Sequence, residues 1–199
     1  MKLYTNPASP FARKCRVVAH ELNLKLEEIV VANARDDESI RRINPLKKIP
    51  ILILDDGSAL FDSAVICEYL NNIGGGKLFP GMTIWRSVSG RWRALGLQAL
   101  ADGIMDAAVG CRYERLVPEE RPNQDHIARH MTTVTAGLDA LERMKFPETP
   151  TIGEVATGCA LGYLDFRYAD LAWREGRPKL AAWFEGFSKF ASMQATAPH

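Results

Sequence analysis

The sequence changes rhythm at Gly74-Gly75-Gly76-Lys77-Leu78-Phe79-Pro80-Gly81. Glycine and proline at this density end regular structure, so the segment reads as a linker. Before it, strand-like and helix-like hydrophobic spacings alternate. After it, the spacing is helical and no strand pattern occurs. This combination predicts two units rather than one: an α/β domain over residues 1–76, a linker over 77–84 and an all-helical domain over 85–199. A length of 199 residues by itself allows either one large domain or two small ones.

In the first unit, residues 2–5 read as a short strand. Residues 10–22 read as a helix that places Phe11, Cys15, Val18, Ala19 and Leu22 on one face. A second strand is predicted over 26–31. A short polar helix over 37–43 is ended by Asn44-Pro45. The apolar run over 49–54 is a strand buried on both faces. The turn Asp55-Asp56-Gly57-Ser58 pairs it as a hairpin with a strand starting at 59–61, and a helix covers 63–73. The order is β-α-β-α-β-β-α. Helical patterns then run over 83–109, with Gly90, Gly96 and Gly103 as weak points, and over 123–144, 158–175 and 178–191.

Charge is balanced in both parts. Lys+Arg and Asp+Glu number 11 and 10 over residues 1–80, and 14 and 14 over 81–199. A phosphate-tracking nucleic-acid binder needs a surplus of cations, so none is expected. The longest apolar stretch, Ile49-Pro50-Ile51-Leu52-Ile53-Leu54, falls short of the roughly 18–20 residues that cross a bilayer. No apolar signal segment follows Met1. The expectation is a cytoplasmic protein that binds neither membrane nor nucleic acid. Cys15, Cys67, Cys111 and Cys159 are scattered, with no CxxC and no histidine at zinc-ligand spacing. They read as packed thiols with no disulfide framework and no metal. Cys15 stands out because Arg13, Lys14 and Arg16 flank it, and positive charge lowers a thiol pKa.

Three segments carry chemistry. In Asn6-Pro7-Ala8-Ser9-Pro10-Phe11-Ala12-Arg13-Lys14, Ser9 stands at a helix N-cap and Pro10 at the first helical position. Ser9 is either a plain cap or a hydroxyl that donates to an anion held at the helix N-terminus. In Asn44-Pro45-Leu46-Lys47-Lys48-Ile49-Pro50-Ile51-Leu52, a proline heads a buried strand. A cis Ile49–Pro50 bond would turn the Ile49 amide and carbonyl outward to pair with an extended peptide; a trans bond would merely open the strand. In Leu60-Phe61-Asp62-Ser63-Ala64-Val65-Ile66-Cys67-Glu68-Tyr69-Leu70, Asp62 and Ser63 stand where a strand meets a helix. They either cap that helix or hold the ammonium and carboxylate of an amino-acid terminus.

The element order, the proline before the third strand and the Asp-Ser pair resemble the thioredoxin-like domain of cytosolic glutathione transferases. The helical half resembles their C-terminal domain, so the likeness covers essentially the whole chain. It is nearest to bacterial members that use serine. The resemblance implies that Ser9 hydrogen-bonds the glutathione sulfur and lowers its pKa. It further implies that Ile49, beside a cis Pro50, pairs with the cysteinyl backbone, and that Asp62 and Ser63 hold the γ-glutamyl end. Phe11 joins the glutathione residues, and Lys48 or Lys47 meets the glycyl carboxylate. Tyr4 is the rival hydroxyl used by other classes, but Ser9 fits the helix-cap context better.

Thr151-Ile152-Gly153-Glu154 is a capping box that nucleates a buried helix over 152–166. The family usually has Asp and Ala where this chain has Glu154 and Gly153. No thiol occupies position 9 or 12, which disfavours dithiol or mixed-disulfide chemistry. By the same resemblance a small hydrophobic electrophile lies between the domains, near Phe11, Arg112, Tyr113 and Tyr163. Trp85, Trp92, Trp173 and Trp183 read as core or interface anchors. The expected activity is glutathione transfer (of the EC 2.5.1.18 kind) in a homodimer, serving detoxification, with glutathione as co-substrate. The alternatives are a non-catalytic glutathione-binding protein, or a glutathione-dependent isomerase or dehalogenase.

Overall fold

The computed structural model describes residues 1–81, 90–117 and 122–199. The first unit runs β1 (Lys2–Thr5), α1 (Pro10–Glu21), β2 (Glu27–Val30), α2 (Glu38–Ile43), β3 (Ile51–Ile53), β4 (Ala59–Leu60) and α3 (Ser63–Ile73). The four strands lie in the order β2-β1-β3-β4. β1 pairs parallel with β2 and antiparallel with β3, which pairs antiparallel with β4. This is a thioredoxin-like domain, in the predicted order of elements.

Alternation along β1 sorts the two faces of the sheet. Leu3 joins the main core with Cys15, Val18, Leu52, Ile66 and Leu70, the face covered by α1 and α3. Tyr4 points the other way, into a smaller cluster with Val31, Ile40 of α2 and Ile51. The third strand begins at Ile51 rather than 49, since Pro50 cannot donate to the ladder; the Ile49–Pro50 bond is cis.

Helical elements follow: α4 (Gly90–Arg115), α5 (Gln124–Glu142), α6 (Ile152–Arg167), a 3₁₀ turn at Ala169–Leu171, α7 (Pro178–Phe187) and α8 (Ala191–Ala195). Among the described residues no strand occurs in this half. α4 packs along α5 and α6. It is long and apolar enough by composition to cross a bilayer, and half of that stretch is packed inside the protein. Every residue of α6 from Ile152 to Leu164 is buried, as befits a helix at the centre of a core.

Helix boundaries in the second half also differ from the sequence reading. α4 runs unbroken past Gly96 and Gly103, where a Cβ would meet open space, and ends at Arg115 rather than 109. The start of the predicted helix, residues 83–89, lies outside the described residues, as does Trp85. The hydrophobic pattern over 158–175 is not one helix. α6 starts at the capping box, where Glu154 Oε2 accepts from the Thr151 amide at 2.8 Å and Thr151 Oγ1 accepts from the Gly153 amide at 3.2 Å. It stops at Arg167, and Ala172 takes a left-handed φ of 46°. The pattern over 178–191 splits into α7 and α8, because Phe190 is extended.

The described part of the predicted linker, 77–81, is anchored: Leu78 and Phe79 are buried, and the Leu78 carbonyl accepts from the Ile152 amide at 2.9 Å. Residues 82–84 of the predicted linker fall outside the described residues. Trp173 is a core residue, and Trp183 stacks on Phe146 and Phe187. Trp92 is 57% exposed and anchors no core.

Candidate functional site

Ser9 is the N-cap of α1, with extended backbone, and its Oγ accepts from the Ala12 amide at 3.2 Å. Accepting that bond leaves the hydroxyl hydrogen free to donate. Asn6 shapes the approach: its Oδ1 accepts from the Ala8 amide at 2.9 Å and its Nδ2 donates to the Val31 carbonyl at 2.8 Å. The loop before α1 is thereby tied to the end of β2. Ser9, Ala8, Pro10 and Arg13 line a narrow crevice whose far wall is Cys159 and Tyr163 of α6 and Pro198. The crevice runs between the two units. Phe11 does not line it; it is partly buried against the main core.

Asp62 caps α3, its Oδ1 accepting from the Ala64 amide at 3.0 Å, and Ser63 beside it is buried. The Ile49 backbone has no hydrogen-bond partner among the described residues. Lys47 has a φ of 53° and its Nζ pairs with Glu38 at 3.1 Å. Lys48 is exposed and has no ion pair among the described residues. Across the cleft, burial pushes the Asp106 carboxyl up; Lys48 pulls it down, and Asp102 and Asp62 push it up again. Asp62, Asp102 and Asp106 therefore share one acidic corner, with Lys48 at its edge.

Arg112 and Tyr113 of α4 lie near Tyr163 of α6, and of the three Tyr163 lines the crevice. The Tyr168 hydroxyl donates to the Ala108 carbonyl at 2.6 Å, laying the end of α6 over α4. Arg112 follows Ala108 by one helical turn, and Tyr163 precedes Arg167 by one turn. Burial pushes the Tyr163 hydroxyl up, while the Arg112 and Arg167 charges pull it back down. From the first unit, Arg35 lies over the Tyr113 ring at 3.4 Å.

Several of these residues escape a reading of the sequence. Lys14 is wholly buried, and its Nζ reaches both oxygens of Asp102 at 2.6 and 2.7 Å. Burial alone would push the ammonium down; Cys67 and Asp102 outweigh it, and Lys14 is held charged. Arg13 is 5% exposed and crosses to α8, with Nη2 on the Met193 carbonyl at 2.9 Å and Nε on Thr196 Oγ1 at 3.4 Å. It fits because α6 carries Gly162: a Cβ there would stand 2.2 Å from Nη1. The signal was present, since Lys14 lies within the apolar stripe of its helix, where a charge needs a partner.

All four cysteines are free and buried. The cationic neighbours do not activate Cys15. Burial and the Cys67 thiol, 3.8 Å away, push it well above the ordinary range. Burial likewise pushes Cys159 up to about 12. Among the described residues no cluster fit to hold a metal occurs.

Residues 3–77 match the family model "Glutathione S-transferase, N-terminal domain", and residues 124–186 match "Glutathione S-transferase, C-terminal domain". A relative from Escherichia coli (strain K12), named "Uncharacterized GST-like protein YibF", is 31% identical over 203 residues, spanning 100% of this chain and 98% of its own length. A glutathione transferase family member from Pseudomonas fluorescens Pf-5, solved with bound glutathione, is 39% identical with a TM-score of 0.87; the match covers 100% of this chain and 98% of that one. A glutathione S-transferase from Methylobacillus flagellatus KT, also with glutathione bound, is 34% identical with a TM-score of 0.89 over 100% and 99%. The fold, the cleft between its two units and these full-length likenesses agree: the chain belongs to the glutathione S-transferase family.

Proposed function

We propose that this protein is a serine-type glutathione transferase, in which Ser9 donates a hydrogen bond to the glutathione sulfur and stabilises the thiolate. The observation that carries the reading is the Ser9 hydroxyl at the α1 N-cap. It faces the cleft with its acceptor side occupied by Ala12 and its hydrogen unassigned. The helix N-terminus and the buried Arg13 behind it add positive potential, which favours an anionic sulfur. Tyr4 is a poorer candidate, because it packs toward α2 on the far face of the sheet.

In this reading residues 1–76 bind glutathione and residues 85–199 complete the cleft, joined by 77–84. The unpaired backbone of Ile49 beside cis Pro50 meets the cysteinyl unit as a short added strand. Ser63 and the α3 N-terminus take the γ-glutamyl carboxylate. Asp62, in the acidic corner with Asp102 and Asp106, takes the ammonium. Lys48 serves the glycyl carboxylate rather than Lys47, which Glu38 already engages. Phe11 supports the site from the core behind α1, and the electrophile sits against Arg112, Tyr113 and Tyr163. Proximity and a lowered thiol pKa then drive the transfer. We place the enzyme in the cytosol as a homodimer with a detoxifying role.

The test is a pH titration of the thiolate absorbance of glutathione bound to the parent and to Ser9→Ala. The expected result is a bound-thiol pKa lower in the parent by at least one unit than in the variant. Equal values in the two would overturn the role of Ser9, and absence of glutathione binding would overturn the reading as a whole.

A further inference from the structure

The wall of the cleft opposite Ser9 holds more positive charge than a hydrophobic electrophile needs. Arg112 lies one turn beyond Ala108 on α4, where the Tyr168 hydroxyl pins the end of α6. Arg115 lies over the Tyr168 ring at 5.2 Å and Arg167 over the Phe166 ring at 3.8 Å. The Tyr163 and Tyr168 rings are 6.4 Å apart, edge to face, so these side chains share one patch. Tyr163 also lines the crevice with Ser9, which connects the patch to the site of the sulfur.

None of Arg35, Arg112, Arg115 and Arg167 has a carboxylate partner among the described residues, nor do Arg13, Arg42, Arg93, Arg129 and Arg143; Arg16, Arg41, Arg91, Arg174 and Arg177 each have one. The Nε of Arg167 is buried with no hydrogen-bond partner among them. Arg112 and Arg167 are close enough that, after burial, the Arg112 charge pulls Arg167 below its ordinary value. Like charges held together beside aromatic faces, with a buried donor unfilled, suit an anion.

Resting on the transferase reading above, we infer that the second substrate carries a carboxylate, held by Arg112 and Arg167 with its apolar body against Tyr163. Planar guanidinium forks match a carboxylate with paired hydrogen bonds. The reacting carbon then lies toward Ser9. In a displacement the thiolate sulfur forms the C–S bond. The carbon–halogen bond breaks with its electron pair leaving on the halide, and the thiol proton passes to solvent.

A matched pair of electrophiles tests this: 4-chloro-3,5-dinitrobenzoate and its neutral carboxamide, which share a reacting carbon and leaving group. Each kcat/KM is divided by the uncatalysed rate, and the affinities of the two glutathione conjugates are measured by calorimetry. The benzoate and its conjugate are expected to be favoured by about tenfold or more, the scale of a charge-assisted hydrogen bond. R112Q and R167Q should each erase most of that preference while leaving glutathione affinity within about twofold, and R112K and R167K should retain part of it. Equal or reversed preference in a protein that binds glutathione would overturn the carboxylate assignment alone. So would a loss in the variants that is the same for both conjugates. Failure to bind glutathione or either conjugate would overturn the transferase reading and this inference with it.

Discussion

The two walls of the cleft are built in different ways. The first-domain wall consists of places where the backbone changes state: Ser9 capping α1, Ile49 before a cis proline, Asp62 capping α3. The second-domain wall consists of side chains standing on continuous helices: Arg112 and Tyr113 on α4, Tyr163 and Arg167 on α6. A cap holds its position because the helix needs it. A partly exposed side chain on a helix face, such as Arg112 or Tyr113, can change with little effect on the fold, whereas Tyr163 is also a core residue. One wall is therefore suited to a constant ligand and the other to a variable one.

The contrast can be broken first at the seam that holds the walls apart. Asp102→Ala leaves the Lys14 ammonium buried without its carboxylate, and the expected loss is about 3–5 kcal/mol of unfolding free energy in a denaturant titration. Replacing both partners by apolar residues (Lys14→Met with Asp102→Leu) should recover most of it. The Lys14 pKa is raised in the folded state. Its stabilisation therefore stands in full below 10.5 and is lost as pH climbs through the raised value. The Asp102→Ala profile should be flatter on that alkaline side.

A second perturbation crowds the seam instead of emptying it. Gly162→Ala drives a methyl onto Arg13 Nη1 and should cost about 1–3 kcal/mol, read as a lower denaturation midpoint. Gly96→Ala, on open surface, should not destabilise.

The third measures the walls against each other. Ser9→Ala removes an N-cap and should cost about 1 kcal/mol. Arg167→Ala should stay within about 0.5 kcal/mol, although both are expected to impair function. Equal stability losses would erase the distinction between the walls. The smallest effect is chemical: with Cys159 pushed up to about 12 and every thiol buried, iodoacetamide at neutral pH should label none of the four until the protein is unfolded.

The same division explains what was legible in the sequence. The first wall is written in adjacent residues, Ser9 with Pro10, Ile49 with Pro50 and Asp62 with Ser63, so local chemistry exposes it. The Thr151–Glu154 box located the start of α6 for the same reason, where the hydrophobic pattern placed it too late. Arg112, Tyr113 and Tyr163 enter as candidates only through family resemblance. Arg35 and Arg167 were not, because only the rotation of α4 against α6 and the reach of a loop bring them in. Lys14 and Asp102 are 88 positions apart, a pairing that no local pattern encodes. Trp92 is no core anchor, because size predicts burial only where the helix face agrees and its face is open; the interface half of that expectation stands.

Arg13 also bears on how the protein comes into being. Its guanidinium, in the crevice with Ser9, finds its acceptors 180 and 183 positions later, at Met193 and Thr196. Chains emerge from the ribosome in order, and the amino-terminal domain is free to fold first. Until α8 has been made and docked, that domain carries an unsatisfied cation at the edge of the crevice. The first unit is thus completed at Arg13 only when synthesis reaches the final helix described here.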